Sequence, residues 1–180
     1  QCPLIDGNTA VIATGGKALM IGVDLASGEK IWETPNPDGW KMSHSSVIPF
    51  TYGGRKMYVY SAIGGIFGVA ADGPDVGTIL WKAPQWNKSV VAPSPVCMPD
   101  GKICITAGYG AGAMMLRISE SGGQFSVEVI DDYAPKDGLA CEQQTPLFWN
   151  GHLFGILPKD GGTMRNQLIC VNPADTKKIV

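Results

Sequence analysis

The chain repeats itself four times. Cys2-Pro3-Leu4-Ile5, Ser46-Val47-Ile48-Pro49, Ser94-Pro95-Val96-Cys97 and Thr145-Pro146-Leu147-Phe148 open the copies, at spacings of 44, 48 and 51 residues. A period of that length dictates the whole architecture before any single element is assigned. Each opening runs into a turn signal: Asp6-Gly7-Asn8, Gly53-Gly54-Arg55, Pro99-Asp100-Gly101 and Asn150-Gly151. A short run of β-formers follows each turn: 10–13, 57–60, 103–106 and 153–156. These runs are too short for helices. Glycine-bearing loops come next, at 14–17, 63–65, 108–112 and 159–162. They lead into third runs at 19–23, 66–70, 114–118 and 168–171, and fourth runs close the copies at 30–32, 79–81, 127–129 and 178–180.

One repeat therefore reads as a four-stranded antiparallel meander. A lone meander has too little core to stand, whereas neighbouring sheets stacked around an axis bury each other's faces and leave only short edges. The expectation is an all-β chain of four consecutive four-stranded antiparallel sheets, β-propeller blades in an open arc, broadly like WD40-type repeats in architecture. The blades span approximately 1–44, 45–91, 92–143 and 144–180. Four blades is the lower limit for a closed ring, and no strand reads as exchanged between the termini, so the arc is expected to be a portion of a longer propeller. Its flanks should then carry apolar surface that further blades would cover.

Composition agrees. Gly and Pro, 24 and 13 residues, make up about a fifth of the chain, which favours turns over long helices. The Gly-Gly sites lack the Lys-Ser/Thr ending and following helix of a phosphate loop, so they read as strand connections. Lys and Arg number 14 against 16 Asp and Glu, for a net charge of −2, which sets aside nucleic acid and anionic membranes as partners. No apolar run approaches the roughly 18 residues of a transmembrane helix. The first residues show neither an initiator Met nor a leader pattern. The five cysteines, 2, 97, 104, 141 and 170, include no CxxC pair and no histidine at metal-ligand spacing. Cys97 and Cys104 flank a turn, which leaves a cross-strand disulfide open. A type I turn with a bulge at Pro99-Asp100-Gly101 would instead set Cys97 opposite Ile103, turn Cys104 to the other face and favour free buried thiols.

In the first copy, Val23-Asp24-Leu25-Ala26-Ser27-Gly28-Glu29-Lys30-Ile31-Trp32 resembles the Ala-x-Asp-x-x-Thr-Gly-x-x-x-Trp blade signature of quinoprotein-like (pyrroloquinoline-quinone-type) propellers. The second copy keeps Gly77-Thr78-Ile79-Leu80-Trp81 after an inserted Asp72-Gly73-Pro74. The third and fourth depart further: the third ends without Trp, and the fourth has Val180 where Trp is expected. The resemblance implies rings of seven or eight blades and a location outside the cytoplasm, periplasmic or secreted. It also assigns structural docking roles to Asp24, Gly28, Trp32, Gly77 and Trp81. Gly28 suits a turn needing positive φ. Trp32 would dock on the neighbouring blade, and Trp32→Ala would cost about 3 to 5 kcal/mol.

In a propeller the turns between second and third strands share a rim with the inter-blade connections. That rim would present Trp40, Lys41, His44, Trp86, Lys88, Tyr109, Gln143, Gln144, Lys159 and Arg165, with Glu142 beside them. Such a set can stack a sugar ring or planar acid on Trp and meet a carboxylate with Lys or Arg, or it can be a solvated rim. His44 lacks a local acidic partner for general-base work and reads as closing an inter-blade connection. His152 falls on the opposite rim. Quinone-dependent dehydrogenases of this superfamily use calcium, an acidic base and often a disulfide between adjacent cysteines. This chain has no adjacent Cys pair, and Asp131-Asp132 reads as a solvated strand end rather than a calcium site. The preferred reading is a non-catalytic scaffold or binding module that offers its rim to a protein or glycan and has no cofactor. The alternatives are part of a pyrroloquinoline quinone (PQQ) and calcium-dependent dehydrogenase, and a sugar-binding or sugar-processing component.

Overall fold

A computed structural model describes residues 2–180. Sixteen strands form four separate antiparallel sheets, each ordered as the chain runs. The first blade holds β1 (Leu4–Asp6), β2 (Thr9–Ala13), β3 (Ala18–Asp24) and β4 (Lys30–Pro35). The second holds β5 (Ile48–Tyr52), β6 (Arg55–Ala62), β7 (Gly65–Ala70) and β8 (Ile79–Ala83). The third holds β9 (Val96–Cys97), β10 (Lys102–Ala107), β11 (Gly112–Ser121) and β12 (Gln124–Tyr133). The fourth holds β13 (Leu147–Trp149), β14 (His152–Ile156), β15 (Leu168–Asn172) and β16 (Asp175–Ile179). Two single 3₁₀ turns, Pro135–Asp137 and Gly162–Met164, complete the regular structure. Among the described residues no helix is long and apolar enough to cross a membrane.

The fold class is the one the repeat dictates; the limits of some strands are not. β11 and β12 are 10 residues each, well beyond 114–118 and 127–129. The Gly122-Gly123 turn, at φ +59° and +83°, lets the hairpin go on pairing past the core, and its distal residues are exposed. At residues 98–101, the Met98 N–H donates to the Lys102 carbonyl (2.8 Å) and Gly101 sits at φ +82°. That turn places Cys97 opposite Ile103 and Cys104 opposite Val96. All five cysteines are free thiols. Burial pushes the Cys104 thiol up to about 12.

Alternation along each strand gives every inner sheet two apolar faces, and three cores lie between successive blades. Between the first and second, Val11, Ala13 and Met20 pack against Tyr58, Tyr60, Phe67 and Val69. Between the second and third, Met57, Val59, Ile66 and Trp81 meet Ile103, Ile105, Met114 and Leu116. Between the third and fourth, Val96, Met98, Cys104 and Met115 meet Leu153, Ile169 and Val171.

Two repeating devices join the blades. The first is tryptophan over glycine. Gly22 lies opposite Trp32 and Gly68 opposite Trp81, and a Cβ there would fall 2.2 and 2.4 Å from the indole. Trp32 reaches across to stack on Tyr58, centroids 6.0 Å apart and planes 12° apart, and lies against Gly77. The second is a string of hydrogen bonds at the opening residue of each repeat. The Cys2 N–H donates to Ser46 Oγ (3.4 Å), the Ser46 N–H to Ser94 Oγ (3.0 Å) and the Ser94 N–H to Thr145 Oγ1 (2.9 Å). One hydroxyl per blade, at the entrance to the innermost strand, ties it to the blade before.

Candidate functional site

The rim is built as the topology requires. The Asn36 side chain donates to the Gly16 carbonyl (2.8 Å), and Lys41 pairs through its backbone with Ile63, so the inter-blade connections lie beside the turns between second and third strands.

Its residues divide into plugs and a pocket. Trp40 and Trp86, expected to offer their faces to a ligand, are buried: the connections that carry them fold down into the wedge between blades instead of standing up from it. Asn36 pins the first connection by bonding both the N–H (2.9 Å) and carbonyl (2.8 Å) of Trp40. The Trp40 ring then covers Gly64 and Gly65, where a Cβ would come within 2.6 and 2.4 Å of it. Trp86 is enclosed by the core of the second and third blades and its Nε1 has no partner. No ligand can stack on either ring in this conformation.

The pocket brings Lys88 and Tyr109 together. It is a concavity of about 400 Å³ lined by Asn87, Lys88, Ser89 and Val90 from one side and by Gly108, Tyr109, Gly110 and Ala111 from the other. The Lys88 ammonium stands 5.0 Å from the centre of the Trp86 ring, which fixes a cation at the wall. Tyr109 is exposed and held at φ +58°, a left-handed conformation costly for an aromatic residue. Gly110 and Gly112, at φ +82° and +76°, bend the same loop. Gly108 lies close under Glu142: a Cβ there would fall 2.0 Å from Glu142 Cγ and would force that side chain to move. The site thus offers one cation, one phenol, one amide and one hydroxyl around an open floor.

The other rim residues stay apart from it. The His44 side chain is exposed, and its backbone N–H donates to the Val91 carbonyl (2.9 Å), one residue beyond the pocket wall. Lys41 and Gln143 are exposed, and the Gln144 amide donates to the Ile156 carbonyl (2.7 Å). Lys159 and Arg165 stand exposed on the fourth blade's connection. Asp24 and Gly28 shape the outer turn of the first blade: the Asp24 carboxylate accepts from the Ser27 N–H (2.8 Å), and Gly28 sits at φ +73°. Those bonds, led by the Ser27 N–H, hold the Asp24 carboxyl below its ordinary range. His152 bonds the Asn150 carbonyl through Nδ1 (3.0 Å). Asp131 accepts from Lys177 Nζ (2.7 Å), an ion pair across the last two blades rather than a bare strand end. Among the described residues no three His, Cys, Asp or Glu side chains converge.

The repeat pattern does not single out Asn87 and Ser89. Their only signal is the polar run that follows Trp86, which becomes a wall once the indole is buried.

No protein-family model matches the chain, and no curated protein sequence matches it.

Proposed function

We propose that this chain is a non-catalytic binding module of the quinoprotein-like propeller type, which presents its rim to a partner outside the cytoplasm. The partner class we favour is an acidic glycan, with Lys88 meeting a carboxylate and Tyr109 stacking on a sugar face. The observation that carries this reading is Tyr109, held in a strained conformation at the mouth of the pocket beside Lys88. Strain of that kind persists where the surroundings over-determine it, and it concentrates at ligand sites. The end sheets are covered by further blades that complete a ring.

The dehydrogenase alternative draws no support from these residues. Trp40 and Trp86, the rim indoles on which a planar ring could stack, are buried, and among the described residues no carboxylates converge for calcium.

Titration with uronate-containing oligosaccharides tests the reading. Binding is expected, and Lys88→Ala and Tyr109→Ala are each expected to weaken it about tenfold or more without lowering thermal stability. Binding that survives both substitutions, or no binding to any acidic or neutral glycan, removes it.

A further inference from the structure

The fold puts nearly all of its asparagines to work. The Asn8 amide donates to the Asp24 carboxylate (2.6 Å), Asn36 pins Trp40, and the Asn172 side-chain oxygen accepts from the Ala174 N–H (2.8 Å). Asn150 and Asn166 take left-handed turn positions, at φ +47° and +62°, which asparagine tolerates better than most side chains. Asn87 does neither. Among the described residues its exposed side chain makes no hydrogen bond, and its φ is not positive.

What marks Asn87 is the sequence that follows it. Asn87-Lys88-Ser89 sets a hydroxyl two residues after the amide, with no proline between them and Val90 next. No other asparagine has this, because the residues two beyond the other five are Ala10, Asp38, His152, Leu168 and Ala174. It is the acceptor pattern for N-linked glycosylation. Three residues make a short pattern, so the setting decides. An acceptor must lie in an irregular, reachable segment, and the sugar it gains must stay in water, since its hydroxyls cannot be buried unpaired. Residues 87–90 belong to no strand, Asn87 and Ser89 are exposed, and buried Trp86 and Val91 anchor the segment at its two ends.

We propose that Asn87 is the acceptor of an N-linked glycan, and that this glycan controls access to the pocket between Lys88 and Tyr109. In the transfer, the Asn87 side-chain nitrogen bonds to C1 of the first sugar of a polyprenyl-diphosphate oligosaccharide. The C1–O bond to diphosphate breaks, the lipid diphosphate leaves with that bond's electron pair, and the amide gives up one proton; nothing is oxidised or reduced. Ser89 supplies the hydroxyl that the transferase reads. Because Asn87 lines the concavity, the attached sugar stands at its mouth. A sugar tethered there has a high effective concentration, which any free glycan must outcompete. The acceptor role rests on the location outside the cytoplasm proposed above, and the control of access rests on the rim pocket as a ligand site.

The test compares the 180-residue chain secreted from a eukaryotic cell behind a supplied leader with the same chain made in a bacterial cytoplasm, where no such transferase acts. Peptide mapping should find an N-glycan at Asn87 of the secreted chain, lost in Asn87→Gln and in Ser89→Ala and kept in Ser89→Thr. Iodination of Tyr109, 64% exposed, should be severalfold slower in the glycosylated chain. Tyr52, half-buried beside Gly101, should react equally in both forms, and matching circular dichroism keeps folding out of the comparison. A bare Asn87 in the secreted chain, or a glycan that survives Ser89→Ala, overturns the acceptor role. Equal iodination of Tyr109 overturns the control of access. Uronate titration of the unmodified chain decides the functional reading by itself, so its failure is told apart from both; where that chain binds, the glycosylated one should bind about tenfold or more weakly.

Discussion

The junctions around the second blade and the junction between the third and fourth solve one packing problem with different means. Around the second blade, an indole from β4 or β8 lies flat over a strand glycine and fills the outer part of the wedge, and buried Trp40 and Trp86 close its rim end. β12 has no tryptophan to send outward. The last junction is filled by Met98, Met115, Cys104 and Cys141 beside Leu139 and Leu153. Clefts of about 290, 200 and 80 Å³ line it, against one of about 190 Å³ at the outer edge between the second and third blades. Polar contacts stand in for the missing ring: Tyr133 donates to the Leu139 carbonyl (2.9 Å), and Lys177 pairs with Asp131 while lying 5.3 Å from the Tyr133 ring centre. Flexible thioethers and small thiols fit irregular gaps but make fewer contacts than a planar ring in a slot built for it. The lesson is that the repeat fixes the topology of a junction, while a single large residue and its facing glycine fix the quality of its packing.

The largest expected effect separates the two indoles. Trp81 is fully enclosed, and Trp81→Ala should cost about 3 to 5 kcal/mol in urea unfolding. Trp32 is half-buried, so Trp32→Ala should cost about 2 kcal/mol, less than its sequence signature suggests. Equal losses would mean that exposure does not rank these junctions.

Hydrogen exchange sharpens the contrast next. Amides of β14 and β15 should be at least about tenfold less protected than those of β6 and β7, because the loosely filled junction opens first. Uniform protection across the four blades would break the comparison.

The smallest effect concerns acid. Asp6 of the first blade accepts from Lys56 Nζ and from the Tyr58 hydroxyl (2.8 Å) of the second. The Lys56 bond first, and then that of Tyr58, holds its carboxyl below the ordinary 3.8. A lowered folded value means that the contribution is complete above about pH 3.8 and disappears as pH falls through the folded value. Asp6→Asn should remove that part of the acid dependence, amounting to no more than about 1 kcal/mol for a partly exposed pair. An unchanged pH profile of unfolding in the variant would show the pair to be idle.

The architecture is legible in the sequence because turn chemistry and strand runs are local. Asp24-Leu25-Ala26-Ser27-Gly28 and Pro99-Asp100-Gly101 state their own geometry within five residues, and both turns form accordingly. The rim is less legible. Whether a tryptophan in a connection points up or down depends on what it meets: Trp40 goes down because Gly64 and Gly65, some 25 residues away, leave it a flat bed. Likewise Gly22 and Gly68 read as ordinary strand residues until the facing indole is known. The positive φ of Tyr109 carries no residue-level signal, since tyrosine is not a residue chosen for that region.

The bonded residues at 2, 46, 94 and 145 act as a hub. They meter the step from one blade to the next at the smallest radius, whatever length of chain is spent at the circumference. The spokes can therefore lengthen unequally, as they do from 44 to 48 to 51 residues, while the bond between successive blades is repeated. Insertions belong in outer hairpins such as the one turning at Gly122-Gly123, where added residues change the outline of the wheel and leave its bearing untouched.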